Sequence, residues 1–252
     1  MSAEMRVPDE WYVGFHEGLV ARFWRAAGAS MAEADARVVA RLLGDDVKTV
    51  LDVPCGDGRL TIRLAAAGYA ATGVDIAAGE VERARRLAAE AGVQARFAVG
   101  DLRALPDVGT VDAVVSWGNS FGYLTPRESA ASLARMHAAL RPGGRLILES
   151  LTVAESFLVG GVAPGAEYEY GGITMATTNH YRAAESRLET ELVLTDADGR
   201  VERSRSVHHV HTAGEVVRML EDAGFARVAL RGGDGEAPYE VGSPRMIAVA
   251  EV

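Results

Sequence analysis

Short apolar runs alternate with helical patterns between residues 49 and 151, and this alternation limits the possible folds more than any other feature of the chain. The runs fit strands that are buried on both faces, and glycines stand where the helical patterns end. Such an order predicts a mostly parallel sheet with helices on both sides. We expect strands at 49–53, 70–74, 95–99, 111–116 and 145–151, and helices at 60–67, 80–91 and 126–140.

The N-terminal region predicts two further helices. Aromatic residues over 9–27 have the spacing of one apolar helix face. Ser30 and Glu33 have the spacing of a capping box, which predicts that a second helix starts there and runs to Leu43. Gly44 is a plausible stop for it.

The alternation breaks after residue 151. Runs at 174–182, 188–195 and 201–211 predict an antiparallel insertion. Thr212 and Glu215 form a second capping-box pattern, which predicts a last helix up to Gly224. Strands are expected at 225–230 and 246–250.

Composition excludes several classes of function. The 252 residues carry a formal net charge of −9, which disfavours binding to phosphate backbones of nucleic acids. Cys55 is the only cysteine, so no internal disulfide is possible. No apolar run approaches the roughly 18 residues of a membrane span, and the polar N-terminus has no signal core. We therefore expect a cytoplasmic protein without membrane or nucleic-acid partners.

A glycine-rich turn follows the first buried strand and opens a helix. Gly56 and Gly58 let the backbone approach a ligand closely, and the helix N-terminus offers free N–H groups. A dinucleotide fingerprint requires a third glycine, but Thr61 occupies that position, which disfavours NAD.

Three successive strands of the predicted sheet are each followed by a carboxylate: Asp52, Asp75 and Asp101. The carboxyl ends of parallel strands share one edge of a sheet, where α/β folds bind their ligands. Carboxylates there repel phosphates. They suit a ligand with an ammonium group, a ribose and an adenine.

With these features in place, the chain resembles the class I S-adenosylmethionine-dependent methyltransferases. The matching segments are 51–59, 73–77, 100–106, 111–124 and 140–150, in the order and spacing of that family. The resemblance implies a doubly wound, seven-stranded, mostly parallel Rossmann-like sheet. It also implies N-terminal lid helices, and the antiparallel β insertion lies before the last helix.

The resemblance implies S-adenosylmethionine as cofactor and S-adenosylhomocysteine as product. Family members usually carry glycine at the position of Pro54, so this loop departs from the pattern. The expected cofactor-binding residues are Tyr12, Asp52, Pro54, Gly56, Gly58, Asp75, Ile76, Asp101, Leu102, Ser116 and Trp117. No linker divides the chain, so we expect one domain with a lid (1–46), a cofactor-binding core (47–151), an insertion that caps the substrate site (152–211) and a C-terminal helix with a strand pair (212–252).

The faces of aromatic side chains attract a positively charged group such as a sulfonium. Several aromatic residues and one histidine are candidates for substrate binding, although core packing is the alternative for each aromatic side chain. These candidates are Trp11, Phe15, His16, Phe121 and Tyr123.

Three residues are candidates for catalysis. Asn119 could accept a hydrogen bond from the methyl acceptor, or simply fill a turn. His211 is the leading candidate for a general base, followed by His209, while strand alternation turns His208 to the opposite face. A structural strand histidine is the alternative reading. No acidic partner stands near these histidines, so no metal is expected.

These observations together predict in-line methyl transfer to a small-molecule amine or hydroxyl, such as an amino-sugar intermediate of natural-product biosynthesis. A homodimer is possible. The alternatives are a methyltransferase fold that serves other chemistry or only binds the cofactor, and an NAD-dependent dehydrogenase.

Overall fold

The computed structural model describes residues 10–252, and the first nine residues of the expected lid lie outside the described residues. The alternating region and the C-terminal strands form one seven-stranded sheet with the order β10-β11-β5-β4-β1-β2-β3. Its strands are β1 (Thr49–Asp52), β2 (Ala70–Asp75), β3 (Arg96–Val99), β4 (Val111–Ser116), β5 (Leu140–Ser150), β10 (Arg227–Gly232) and β11 (Met246–Glu251). All neighbours pair in parallel except β11, which is antiparallel to both β5 and β10. The predicted doubly wound, mostly parallel sheet is confirmed.

Helices cover both faces of this sheet. They are α1 (Gly18–Leu43), α2 (Arg59–Ala66), α3 (Ala78–Glu90), α4 (Pro126–Ala138), α5 (Ala154–Phe157) and α6 (Ala213–Asp222). The middle of β1 is apolar because both faces of the strand are buried: Val50 packs into the core on one face and Leu51 into the core on the other. None of the helices within 10–252 has both the length and the apolar character that a membrane crossing requires.

The insertion forms a second, antiparallel sheet of four strands in sequence order. Its strands are β6 (Glu167–Tyr170), β7 (Ile173–Arg182), β8 (Arg187–Asp196) and β9 (Val201–His209). The predicted antiparallel insertion is confirmed for three of these strands. Strand β6 was not predicted; it has only four residues, and all of them are exposed.

The N-terminal prediction of two helices separated near Ser30 is wrong. Residues 11–13 form a single 3-10 turn, and α1 then continues without a break from Gly18 to Leu43. The Ser30 hydroxyl donates to the main-chain carbonyl of Ala27 at 2.6 Å, so it caps nothing. The continuous helix is stabilised by packing, because Leu19 and Phe23 are buried against the insertion sheet while Val39 and Leu43 are buried against the main sheet.

One strand boundary also differs from expectation. The fifth strand, expected from residue 145, is β5, which starts at Leu140 and has an irregular register against β4. Conversely, the capping signal at Thr212 is correct, because its side chain accepts from the third main-chain N–H of α6. Thr125 caps α4 in the same way, which was not predicted from the sequence.

Candidate functional site

The turn between β1 and α2 contains two glycines in the left-handed region, and they have different roles. Gly56 has a φ of 55°, and a Cβ placed on it would meet nothing within 4 Å. Gly58 has a φ of 75°, and a Cβ there would lie 2.8 Å from Phe97 and 2.9 Å from Ala84. Gly56 therefore leaves room for a ligand, whereas Gly58 lets α2 approach β3 and α3.

This difference predicts a large loss of stability for Gly58→Ala. The left-handed backbone costs about 1–2 kcal/mol, and the close contacts with Phe97 and Ala84 add roughly 1–3 kcal/mol. The measurement is the free energy of unfolding in denaturant. Gly92→Ala is the matched control, because Gly92 has a φ of 66° with no atom near its Cβ position. Equal losses in the two variants would contradict the packing role of Gly58.

The buried side chain of Asp52 stabilises the glycine-rich turn between β1 and α2. It is buried and accepts a hydrogen bond from the Thr61 hydroxyl at 2.6 Å. Burial raises the pKa of Asp52 to about 7, in part opposed by this hydrogen bond. Thr61, whose identity disfavoured NAD, thus binds the first of the three strand-end carboxylates.

Asp75 joins the turn to the end of β2. One carboxylate oxygen accepts from the Gly56 N–H at 2.8 Å, and the other accepts from the Ala77 N–H at 2.9 Å. Burial raises the pKa of Asp75, although these two hydrogen bonds oppose the rise. The carboxylate is therefore fixed in place, with lone pairs left for ligand hydroxyls.

A cavity of about 400 Å³ lies beside Asp75 and Gly56. Its walls come from the N-terminal segment, α1, the glycine-rich turn, the loop after β4, and β9. Ten of the residues predicted from the sequence line it: Tyr12, Phe15, His16, Pro54, Gly56, Asp75, Ile76, Trp117, Asn119 and Tyr123. The other nine are not part of its lining: Trp11, Asp52, Gly58, Asp101, Leu102, Ser116, Phe121, His209 and His211.

Asp101, the third strand-end carboxylate, forms a salt bridge with Arg103, which donates to it from Nη2 at 2.6 Å and from Nε at 2.9 Å. Burial alone would raise the pKa of Asp101, but the bonds from Arg103 lower it. Arg103 also pairs with Glu10 at 2.7 Å and lies over the Tyr12 ring at 5.8 Å. Asp101 thus helps to hold the N-terminal segment that bears Tyr12.

The remaining residues outside the lining support its walls. Trp11 packs against Phe15 and Tyr123, with ring centroids 4.9 and 4.7 Å apart. Phe121 and Leu102 belong to or pack against the main core, and Ser116 is buried at the end of β4.

The three clustered histidines differ in position. His211, the leading candidate for a base, packs against Phe121 behind the lining at 5.5 Å. His209 lies at the end of β9, where its main-chain N–H donates to the Gly122 carbonyl at 2.7 Å. The cavity is lined instead by His208, with Ser206 two residues before it. Strand alternation correctly separated His208 from its neighbours, but the sequence did not reveal which face meets the cavity.

A buried ion-pair network closes one end of the cavity. Arg245 donates to Glu149 at 3.3 Å and to Asp35 at 3.2 Å, and Arg59 donates to Asp35 at 2.9 Å. Glu149 also accepts from the N–H groups of Gly118 and Asn119, at 2.9 and 3.1 Å. The network therefore fixes the loop that carries Trp117 and Asn119.

Sequence reasoning missed Asp35, Glu149 and Arg245. Glu149 had a usable signal, since it is a lone charge in the apolar run 146–150. Asp35 and Arg245 had no such signal, because α1 and the loop before β11 meet only in the folded chain.

A second ion pair joins Arg25 of α1 to the buried Glu80 of α3, where Nε lies 3.3 Å from Oε2.

The known proteins that are similar to this chain are methyltransferases. Residues 50–144 match a family model described as a methyltransferase domain. The chain is 27% identical to a cypemycin N-terminal methyltransferase of Streptomyces sp, over 82% of this chain and 84% of that protein. It is 27% identical to a dTDP-3-amino-3,6-dideoxy-alpha-D-glucopyranose N,N-dimethyltransferase of Streptomyces fradiae, over 93% of this chain and 90% of that protein.

A solved structure is similar over nearly the whole chain. It is an amino pentose methyltransferase from Micromonospora echinaspora with bound S-adenosylmethionine, involved in calicheamicin biosynthesis. The TM-score is 0.69 at 25% identity, and the match covers 93% of this chain and 97% of that one.

Proposed function

Since this chain belongs to the class I S-adenosylmethionine-dependent methyltransferases, we propose that it methylates the amine of a small molecule, such as an amino-sugar intermediate of natural-product biosynthesis. The enzyme class and the cofactor follow from the family. The acceptor is our proposal, and so are the roles of individual residues. A cytoplasmic location and a homodimer stay predictions from the sequence.

The residues around the glycine-rich turn fit the cofactor. Gly56 faces open space where a side chain would otherwise fill the cavity, and Asp75 offers a fixed carboxylate for two adjacent hydroxyls. Tyr12, Ile76 and Trp117 supply apolar and aromatic surface on the same cavity. We propose that these residues hold the ribose and the adenine, and that Asp101 acts through Arg103 and the segment of Tyr12.

S-adenosylmethionine, when bound, supplies an activated methyl group that a nucleophile takes up while the sulfur keeps the bonding electron pair. What the protein must add is alignment of the acceptor and exclusion of water. The Tyr12–His16 segment lines the cavity, and the Glu149 network fixes the loop after β4, which also lines it.

The observation that carries the choice of an amine is that the described lining offers no strong free base: burial lowers the pKa of its two histidines, His16 and His208, and every carboxylate there already has a partner. Asp35 and Glu149 pair with Arg245, Glu80 pairs with Arg25, and Asp75 is bound by two N–H groups. Asp57 lies 3.6 Å from Arg83. A hydroxyl acceptor needs a base that takes its proton, whereas an amine attacks once it is neutral.

The names of the two relatives described above, which match more than four fifths of the chain, agree with this choice. The cypemycin enzyme is an N-terminal methyltransferase, and the Streptomyces fradiae enzyme is an N,N-dimethyltransferase of an amino sugar. They support an amine acceptor without identifying the one used by this chain.

The test is methyl transfer from S-adenosylmethionine to matched pairs of amino and hydroxy compounds, among them 3-amino sugars and the corresponding 3-hydroxy sugars. We expect a product heavier by one methyl group from the amine of a pair and none from the alcohol, by mass spectrometry. Methylation of the alcohol alone would contradict the proposal. Cofactor binding without methylation of either class would favour a repurposed fold.

A further inference from the structure

His208 stands out among the residues of the cavity because its ring nitrogens have no partner. The side chain is buried and lines the cavity. Neither Nδ1 nor Nε2 makes a hydrogen bond to another described residue. A buried polar group without a partner is costly, so in native proteins it usually signals a missing ligand or water.

A second unpartnered group lies on the same cavity. The Ser120 hydroxyl is buried without a hydrogen bond and also lines the cavity. The two residues belong to segments that are tied together, because the main-chain N–H of His209 donates to the Gly122 carbonyl at 2.7 Å. His208 on β9 and Ser120 on the loop after β4 therefore line one compartment.

The surroundings of His208 keep its ring fixed and uncharged. Tyr123 packs edge-on against it at 4.8 Å, and Trp11 lies 6.3 Å away. Burial lowers the pKa of His208 to about 4, opposed in part by the nearby main-chain carbonyl of Asn119, whose geometry falls short of a hydrogen bond, and assisted by His209. At neutral pH the ring therefore has one nitrogen that donates and one that accepts.

We propose that His208, together with Ser120, binds the amine of the methyl acceptor: a ring nitrogen of His208 accepts one N–H of the neutral amine, and the Ser120 hydroxyl binds a second polar group of the acceptor. The inference rests on the proposed function, which it deepens by naming the amine subsite. The role is to orient the lone pair of the amine. His208 takes no proton in this scheme.

The subsite selects a class of acceptor. His208 and Ser120 are buried and bring no negative charge to this subsite, so it disfavours an ammonium and the amine binds in its neutral form. The subsite has one acceptor and one hydroxyl, which suits an amine with a neighbouring hydroxyl or ether oxygen. A vicinal amino alcohol, such as that of an amino sugar, has this arrangement.

The test compares His208→Leu and His208→Gln with wild type. His208→Leu removes both ring nitrogens, and we expect kcat/KM for the amine to fall about 10- to 100-fold through the loss of a buried hydrogen bond. Affinity for S-adenosylhomocysteine should stay within about twofold of wild type, since the cofactor residues are untouched. His208→Gln restores an acceptor and should recover part of kcat/KM.

His137→Leu is the matched control, because the Nε2 atom of His137 is also buried without a partner but lies against Phe225, away from the cavity. Its kcat/KM should match wild type. A His208→Leu enzyme with wild-type kcat/KM would overturn the proposal. So would a loss that His208→Gln does not reduce.

A second measurement separates this inference from the proposed function. The nitrogen NMR signals of His208, assigned by their absence in His208→Gln, are followed while methyl 3-amino-3-deoxy-glucopyranoside is added to the protein with S-adenosylhomocysteine. We expect these signals to shift. An unmoved signal overturns the amine subsite, whereas a shift without methyl transfer in the activity assay contradicts only the proposed function.

Discussion

Replacement of Asp75 by alanine should weaken binding of S-adenosylhomocysteine by about 10- to 100-fold, which corresponds to roughly 1–3 kcal/mol. The side chain does two things that alanine cannot. It accepts the main-chain N–H groups of Gly56 and Ala77, which sets the turn, and its remaining lone pairs face the cavity. Both contributions disappear in the variant.

Titration calorimetry of wild type, Asp75→Ala and Asp75→Asn measures this effect. Asparagine keeps the shape and one acceptor oxygen, so its loss should be smaller than that of alanine. Asp198→Ala, on the exposed turn between β8 and β9, is the control and should bind as wild type does. Wild-type affinity in Asp75→Ala would remove this residue from the cofactor site.

Replacement of Glu149 by alanine should produce the largest loss of stability, on the order of 3–5 kcal/mol. Glu149 is 3% exposed and accepts from Arg245 and from two main-chain N–H groups. Alanine would leave all three donors without this partner in a buried place. The loop with Trp117 and Asn119 would lose its attachment, so turnover should fall as well.

Thermal unfolding gives the check, and a loss of this size lowers Tm by about 10 °C for a chain of this length. Glu251→Ala is the matched control, because Glu251 pairs with Arg227, whose side chain is 82% exposed. Exposed pairs of this kind contribute about 0–1 kcal/mol. Similar Tm values for the two variants would mean that the Glu149 network does not stabilise the fold.

The main sheet could be predicted from the sequence because its strands are buried on both faces. Runs such as 111–116 are mostly apolar, and Gly109 and Gly118 stand close to the two ends of this one. The local signals around Ser30 failed for a physical reason. A capping box is a signal from only one turn of helix. The packing of Phe23 before Ser30 and of Leu43 after it keeps α1 continuous through this position.

Some residues of the candidate site could also be predicted from the sequence, and others could not. Asp75 and Gly56 could be placed on the cavity because the end of a parallel strand and the turn after it have fixed positions in this architecture. His208 could not be chosen over His211, since alternation tells which residues share a face of β9 and not what that face meets. The partners of Glu149 come from the loop after β4 and from the loop before β11, which are distant from it in sequence.

The unbroken helix α1 has a consequence for the evolution and engineering of acceptor preference. It lines the cavity with Arg25, Gly28 and Met31, and its earlier turns pack Leu19 and Phe23 into the insertion sheet. The insertion sheet and the cavity thus pack against one continuous helix. We therefore expect that an exchange of the insertion between homologous enzymes has to include α1 to keep this packing.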